Sequence, residues 1–250
     1  MNNKWKWSAQ LGVVLLCALG LKAFYSTASP DALRFILAPT TWLVELVSGR
    51  SFDFEAHAGY MSSDHSFLIA APCAGVNFLI TAFVMLTLRE LWLNRSANIH
   101  WSFIPIAAVT SLGTTIITNA VRICVALRLQ GLRDDIMGLN PSEIHRTEGI
   151  LVYFGFLLLL YMITETGHTR TAWDWLKRAR LPLGIYYVVT LGLPFLNGAF
   201  RQGMEFWEHS AFVLILPLVI VAATVIIRWL TQRRQVIVQT VSTDGGISDC

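Results

Sequence analysis

Three side chains in this sequence are of the types that acyl-transfer chemistry uses. Cys73 lies in Ala71-Pro72-Cys73-Ala74-Gly75-Val76-Asn77-Phe78, at the head of a long apolar run. Pro72 suits the first turn of a helix, where its missing N–H costs nothing. A cysteine beside it would meet free backbone N–H groups and the positive helix end, which lower a thiol pKa and favour the nucleophilic thiolate. The competing reading is a small buried hydrophobe, a common fate of free cysteine.

Arg122 stands in Thr118-Asn119-Ala120-Val121-Arg122-Ile123, six residues before Arg128, or ~9 Å along a helix at ~1.5 Å per residue. It can snorkel outward, or face the bundle interior and offer its donor fork to a carbonyl or oxyanion. Asn119, three residues earlier, shares its face. A snorkelling arginine needs no such polar companion, which favours the inward reading. Cys124 points away from that face and reads as packing.

His145 falls in Asn140-Pro141-Ser142-Glu143-Ile144-His145-Arg146-Thr147-Glu148-Gly149, where an outer loop re-enters an apolar stretch. Glu148, three residues on, is placed to orient the imidazole. A loop histidine is more often surface decoration, which is the reading for His57, His65, His100, His168 and His209. His57 and His65, eight residues apart, lack the further ligands of a metal site. The four cysteines are at least 51 positions apart and match no zinc or CxxC pattern. No metal and no cofactor is expected. GxSG and HExxH motifs are absent.

The elements that must position these groups follow from composition. Of 250 residues 54% are apolar and 14% charged, against about a quarter charged in a soluble protein; mean hydropathy is +0.55. That balance excludes a soluble enzyme and a disordered chain. The net charge of +3 is small and scattered, so nucleic acid is not an expected partner. The expected fold is all-α: a polytopic membrane helix bundle with about six transmembrane helices. The six windows are roughly 8–25, 73–93, 103–129, 147–166, 181–197 and 210–230, each near the ~20 residues a bilayer requires. The first resembles a signal peptide, with Lys4 and Lys6 before it, but its length suits a retained anchor better.

Segment 32–47 is interrupted by Arg34, Pro39 and Glu45 and reads as an amphipathic or re-entrant piece at the outer interface. Segment 51–70 alternates weakly and is expected to form a small hairpin or lid. Residues 1–234 then make one transmembrane domain, with 235–250 a disordered cytoplasmic tail. With the N-terminus inside, 11 of the 19 Lys and Arg residues fall on the inner side, most tightly at 170–180 and 228–234. This topology uses only charge counts, yet it brings Cys73, Arg122 and His145 to the outer surface together. They are the types needed for a nucleophile, an electrostatic stabiliser and an acid–base group.

At these residues the chain resembles the exosortase/archaeosortase family of membrane transpeptidases, and most closely its exosortase K type. The similar elements are Pro72-Cys73-Ala74-Gly75-Val76-Asn77-Phe78, Asn119-Ala120-Val121-Arg122, and His145 ahead of Gly149. The resemblance covers mainly residues 50–165. It implies a cysteine protease or transpeptidase of the bacterial cytoplasmic (inner) membrane, with its site on the extracytoplasmic side. Its partners would be exported proteins bearing a C-terminal sorting signal of short motif, apolar span and basic end. The acceptor would be linked to envelope or exopolysaccharide material. Carried onto this chain, Cys73 is nucleophile, His145 acid/base and Arg122 oxyanion stabiliser, with Asn77, Asn119 and Glu148 in support. The alternative from another class is a small transporter or channel that binds substrate through Arg122 and Asn119 at depth.

Reporter fusions test the topology. A fusion after Gly138 should read extracytoplasmic and one after Ala172 cytoplasmic; inverted readings would mean that 32–47 crosses the membrane.

Overall fold

The computed structural model describes residues 3–93, 100–130, 141–165 and 171–244. In chain order the elements are α1 (Asn3–Thr27), α2 (Arg34–Ser48), strands β1 (Phe52–Glu55), β2 (Gly59–Ser62) and β3 (Leu68–Ile69), and a 3-10 turn (Ala71–Ala74). Then follow α3 (Val76–Leu93), α4 (Phe103–Gln130), α5 (Pro141–Thr164), α6 (Ala172–Tyr187), a π-helical segment (Val188–Gly192), α7 (Leu193–Leu196) and α8 (Met204–Asp244). The fold is an all-α bundle with one small sheet. Six of its helical stretches are long and apolar enough to cross a membrane: Trp5–Thr27, Ala71–Leu93, Phe103–Leu129, Glu143–Thr164, Trp173–Leu196 and Phe206–Arg233.

α3 is the central helix. It buries residues on every side, including Ile80, Phe83 and Met85, as a helix does when apolar all round and surrounded. α1, α4, α5 and α6 all pack against it. Phe154 and Leu157 of α5 are fully buried in the same core, whereas α8 leaves Leu214, Ile215, Leu218 and Val219 exposed. An exposed apolar stripe on an outer helix is what lipid contact requires.

The fifth stretch begins earlier than expected. Lys177, Arg178 and Arg180 depress the hydropathy of 172–180, yet specific contacts make it helical. The Thr171 hydroxyl caps α6 by accepting from the Asp174 N–H at 3.1 Å. Arg178 pairs with Glu165 at 3.2 Å. The Trp175 indole donates to the Thr224 hydroxyl at 2.9 Å, and the Arg228 guanidinium stands 4.6 Å from the Trp175 ring centroid. Beyond Tyr187 the helix widens into the π-helical segment, where the Thr190 hydroxyl donates to the Tyr186 carbonyl at 2.6 Å.

α2 has 15 residues, or ~22 Å at ~1.5 Å each, too short for a ~30 Å hydrocarbon core. It buries Ile36, Leu37, Thr40, Thr41 and Val44 and packs against α4. Its outer face carries Phe35, Trp42, Leu46 and Val47. Both of its faces carry apolar side chains. Gly49, left-handed at φ 69°, ends it.

The segment after α2 folds into an antiparallel sheet, β1-β2-β3, with Phe52 opposite Ser62 and Tyr60 opposite Ile69. Phe52, Tyr60 and Ile69 are buried beneath it. The Phe52 N–H donates to the Glu45 carboxylate at 2.8 Å, which ties the sheet to α2. At the outer turn, hydrogen bonds from the Ser62 and Ser66 side chains hold the Asp64 carboxyl down at about 2.

α8 runs without a break to Asp244; 245–250 lies outside the described residues. The chain from Gln235 to Asp244 holds neither Gly nor Pro, and Gly245-Gly246 come only afterwards. His145 lies within α5, not in a loop ahead of it.

Gly59 sits at φ 126°, and a Cβ there would overlap the Ile69 carbonyl oxygen. Gly59→Ala should break the β2–β3 pairing while leaving the helices intact. Limited proteolysis should then cut within 56–70 much faster than in the parent, with an unchanged far-ultraviolet helix signal; equal resistance would mean the sheet tolerates a side chain there.

Candidate active site

The turn that carries Cys73 is irregular and held from several directions. Pro72 lies at its start, and the Cys73 N–H donates to the Ala70 carbonyl at 2.8 Å. Gly75 then adopts a left-handed conformation, φ 67°, and α3 begins at Val76. Cys73 thus precedes the helix and is not part of its first turn, and its own N–H is taken. This corrects the expectation that Pro72 and Cys73 open the first turn of the long helix: they sit in a separate 3-10 turn ahead of it.

A side chain on another helix holds the turn. Asn119 of α4 is fully buried, and its amide N–H donates to the Cys73 carbonyl. Its amide oxygen accepts from the Tyr153 hydroxyl of α5 at 2.9 Å. Gly75 makes room for this bridge, since a Cβ there would stand 3.2 Å from both Asn119 Cγ and Oδ1. From α1, Lys22 Nζ donates to Asn77 Oδ1 at 2.9 Å, and the Tyr25 hydroxyl reaches the Ala71 carbonyl at 3.5 Å.

Arg122 lies one turn beyond Asn119 on the same face and is 8% exposed. Its guanidinium carbon stands 5.4 Å from the Tyr153 ring centroid. It interacts electrostatically with Tyr153, Cys73 and Glu148. Its Nε–H has no partner. Arg122 therefore faces the interior. Glu148 is also buried, with Oε1 unpartnered, and its Oε2 lies 3.6 Å from His145 Nδ1. That spacing is an ion-pair distance but too long for a hydrogen bond.

A cavity of about 530 Å³ opens beside this cluster, and Asn77, Arg122, His145 and Tyr153 line it. Cys73 is not among the lining residues. The site therefore falls into two adjoining parts. One is the Cys73–Asn119–Arg122–Tyr153 cluster; the other is the cavity, where His145 stands beside Glu148. Arg122 and Tyr153 belong to both.

Tyr153, Lys22, Tyr25 and Gly75 are functional candidates that sequence reasoning missed. Tyr153 carried a readable signal, a hydroxyl inside an apolar span that needs a partner there. His209, read as surface decoration, lines the cavity and is half-buried. His57 lies outside the site, paired with Asp31 at 3.0 Å. His65 and His100 are exposed. Cys17 is exposed and Cys124 half-buried, both as free thiols; His168 and Cys250 lie outside the described residues. Among the described residues no group of three or more His, Cys, Asp and Glu could hold a metal ion.

Comparison of the chain with protein-family models, with curated proteins and with solved structures finds no match. A cysteine sulfur is a competent nucleophile toward a carbonyl, and a desolvated guanidinium is a strong stabiliser of developing negative charge.

Gly75→Ala meets a disfavoured left-handed backbone and the Asn119 amide together, so it should cost roughly 2 kcal/mol of stability. Tyr153→Phe, which removes one hydrogen bond at nearly constant volume, should cost about 1 kcal/mol. The thermal midpoint of the detergent-solubilised protein measures both. A Gly75→Ala protein as stable as the parent would contradict a tight junction between the turn and α4.

Proposed function

We propose that this chain is a membrane-embedded cysteine protease or transpeptidase of the exosortase/archaeosortase type, acting at the outer face of a bacterial cytoplasmic membrane. The observation that carries the reading is the buried Arg122 guanidinium, which interacts electrostatically with Cys73. Its substrates would be exported proteins that end in a short motif, an apolar span and a basic tail.

In this mechanism the Cys73 thiolate attacks a peptide carbonyl near the motif. A C–S bond forms and the carbonyl electrons move to an oxyanion, which Arg122 stabilises. On collapse the C–N bond breaks, and the leaving amine takes a proton from the His145 imidazolium. Water or an acceptor amine, on a carrier linked to the envelope or to exopolysaccharide, gives that proton back to His145 as it attacks the thioester. The C–S bond then breaks and returns the thiolate. Glu148 would hold the imidazole, while Asn119 and Asn77 would hold the turn and the cavity edge. Since Cys73 lies outside the cavity lining, the scissile bond would have to meet it at the border marked by Arg122 and Asn77.

A second reading has its own observation. The cavity is lined by Arg122 but by neither Cys73 nor Asn119, as a transporter or channel that binds its substrate through Arg122 would have it.

An immunoblot of a co-expressed substrate with the three-part tail separates the two. Cys73→Ala should abolish processing and His145→Ala should block turnover. Arg122→Lys should lose on the order of 10²-fold or more, because an ammonium lacks the planar fork. Cys17→Ala, Cys124→Ala and Cys250→Ala should process near normally. Normal cleavage by Cys73→Ala would overturn the enzyme reading and favour the transporter.

A further inference from the structure

The cavity beside Arg122 has a charge pattern that acyl transfer to a neutral peptide does not explain. Three permanent cations from three different helices line it: Lys22 of α1, Arg122 of α4 and Arg146 of α5. His145 and His209 line it too, and none of its described lining residues is Asp or Glu. Glu148 interacts with Arg122 and pairs with His145 but does not line the cavity. All three cations lie within stretches apolar enough to span a membrane. Like charges gathered around one space there repel, and they are costly to desolvate without an anion.

The donors also have capacity to spare. Arg122 is more than nine-tenths buried and lines the cavity with its Nε–H unpartnered. Lys22 spends one donor on Asn77 Oδ1, which leaves two of its three free for a ligand. Arg146 stacks its guanidinium 5.7 Å from the Phe212 ring centroid, a contact that uses the planar face and leaves the N–H edge available.

We propose that this cavity binds a phosphate-bearing ligand, held by Lys22, Arg122 and Arg146. A carboxylate presents two oxygens in one plane, whereas a tetrahedral phosphate accepts donors arriving from several directions, as three helices supply them. The space of about 530 Å³ is far larger than a bare phosphate and falls in the range of pockets for organic ligands. Part of its wall is apolar, with Phe78, Val189 and Val213, and suits the organic portion. Two sources share this chemistry, the headgroup of an anionic membrane lipid and a soluble phosphate compound. The site stands on charge and geometry alone and does not depend on the acyl-transfer reading.

Binding measured on the full chain in detergent micelles tests the proposal without any activity readout. The probes are phosphatidylglycerol, zwitterionic phosphatidylcholine and inorganic phosphate. They are followed by native mass spectrometry for retained lipid and by thermal shift for phosphate. Saturable binding of phosphatidylglycerol over phosphatidylcholine is expected if the ligand is a lipid headgroup; stabilisation by inorganic phosphate is expected if it is soluble. In either case Lys22→Gln and Arg146→Gln should each weaken binding about tenfold or more, the scale of one lost charge-assisted hydrogen bond. Arg146→Lys should keep most of the affinity, which separates loss of charge from loss of fold. No saturable binding of any probe, equal retention of the two lipids without a phosphate effect, or unchanged affinity in both glutamine variants would overturn the proposal.

Discussion

The carbonyl of an irregular turn leaves the regular ladder of helical hydrogen bonds and must find a donor elsewhere. Here that donor is the Asn119 amide, which donates to the Cys73 carbonyl while accepting from the Tyr153 hydroxyl. One buried group thus joins the turn before α3 to both α4 and α5. The left-handed Gly75 is a consequence of the same contact, because a side chain there would occupy the space of the amide. The position of the sulfur, the approach of Arg122 and the packing of the Tyr153 ring all follow from this bridge.

Burial on this scale makes the electrostatics of the site cooperative. Arg122, Glu148 and Asn119 are all buried, where an unpaired charge is expensive and a paired one interacts strongly. The Arg122–Glu148 interaction offsets part of that cost. The unpartnered atoms that remain, Arg122 Nε and Glu148 Oε1, are what a site looks like when its polar groups are arranged for something that enters it. The outer sheet contributes by fixing the chain on the other side. It is tied to α2 through Glu45 and leads from Ile69 almost directly into the Cys73 turn.

Hydropathy made the spans legible because a membrane helix declares itself by length and composition. All but the fifth of the six stretches agree with the sequence windows to within four residues; the fifth starts earlier because its cationic first turns are held by tertiary contacts that a window average cannot contain. The fourth also starts earlier, and His145 is helical for that reason. Arg122 and Asn119 were readable as inward-facing because a polar pair on one face of an apolar helix must find its partners inside the bundle and not in lipid. Lys22 and Tyr25 were not, since each enters the site through a pairing between residues far apart in the chain. The 3-10 geometry around Cys73 was hidden for a similar reason. Pro72 signals a helix start equally well for a 3-10 turn and for an α-helix, and only the Asn119 contact decides between them.

The π-helical segment at 188–192 shapes the far wall of the cavity, since Val189, Thr190 and, just beyond, Pro194 all line it. A π-turn accommodates one residue more than the α-helix it interrupts. The extra residue rotates everything downstream by about 100° around the helix axis, the angle of one residue at ~3.6 per turn. The fifth span therefore presents two different faces in its two halves, one to α8 near Trp175 and another to the cavity near Pro194. A single-residue deletion in this stretch would let the helix close up into regular α-form with its length nearly kept, while turning Pro194 away from the space it now borders. The dimensions of the cavity are in this sense set by a count of residues in one helix as much as by the identity of the side chains that face it.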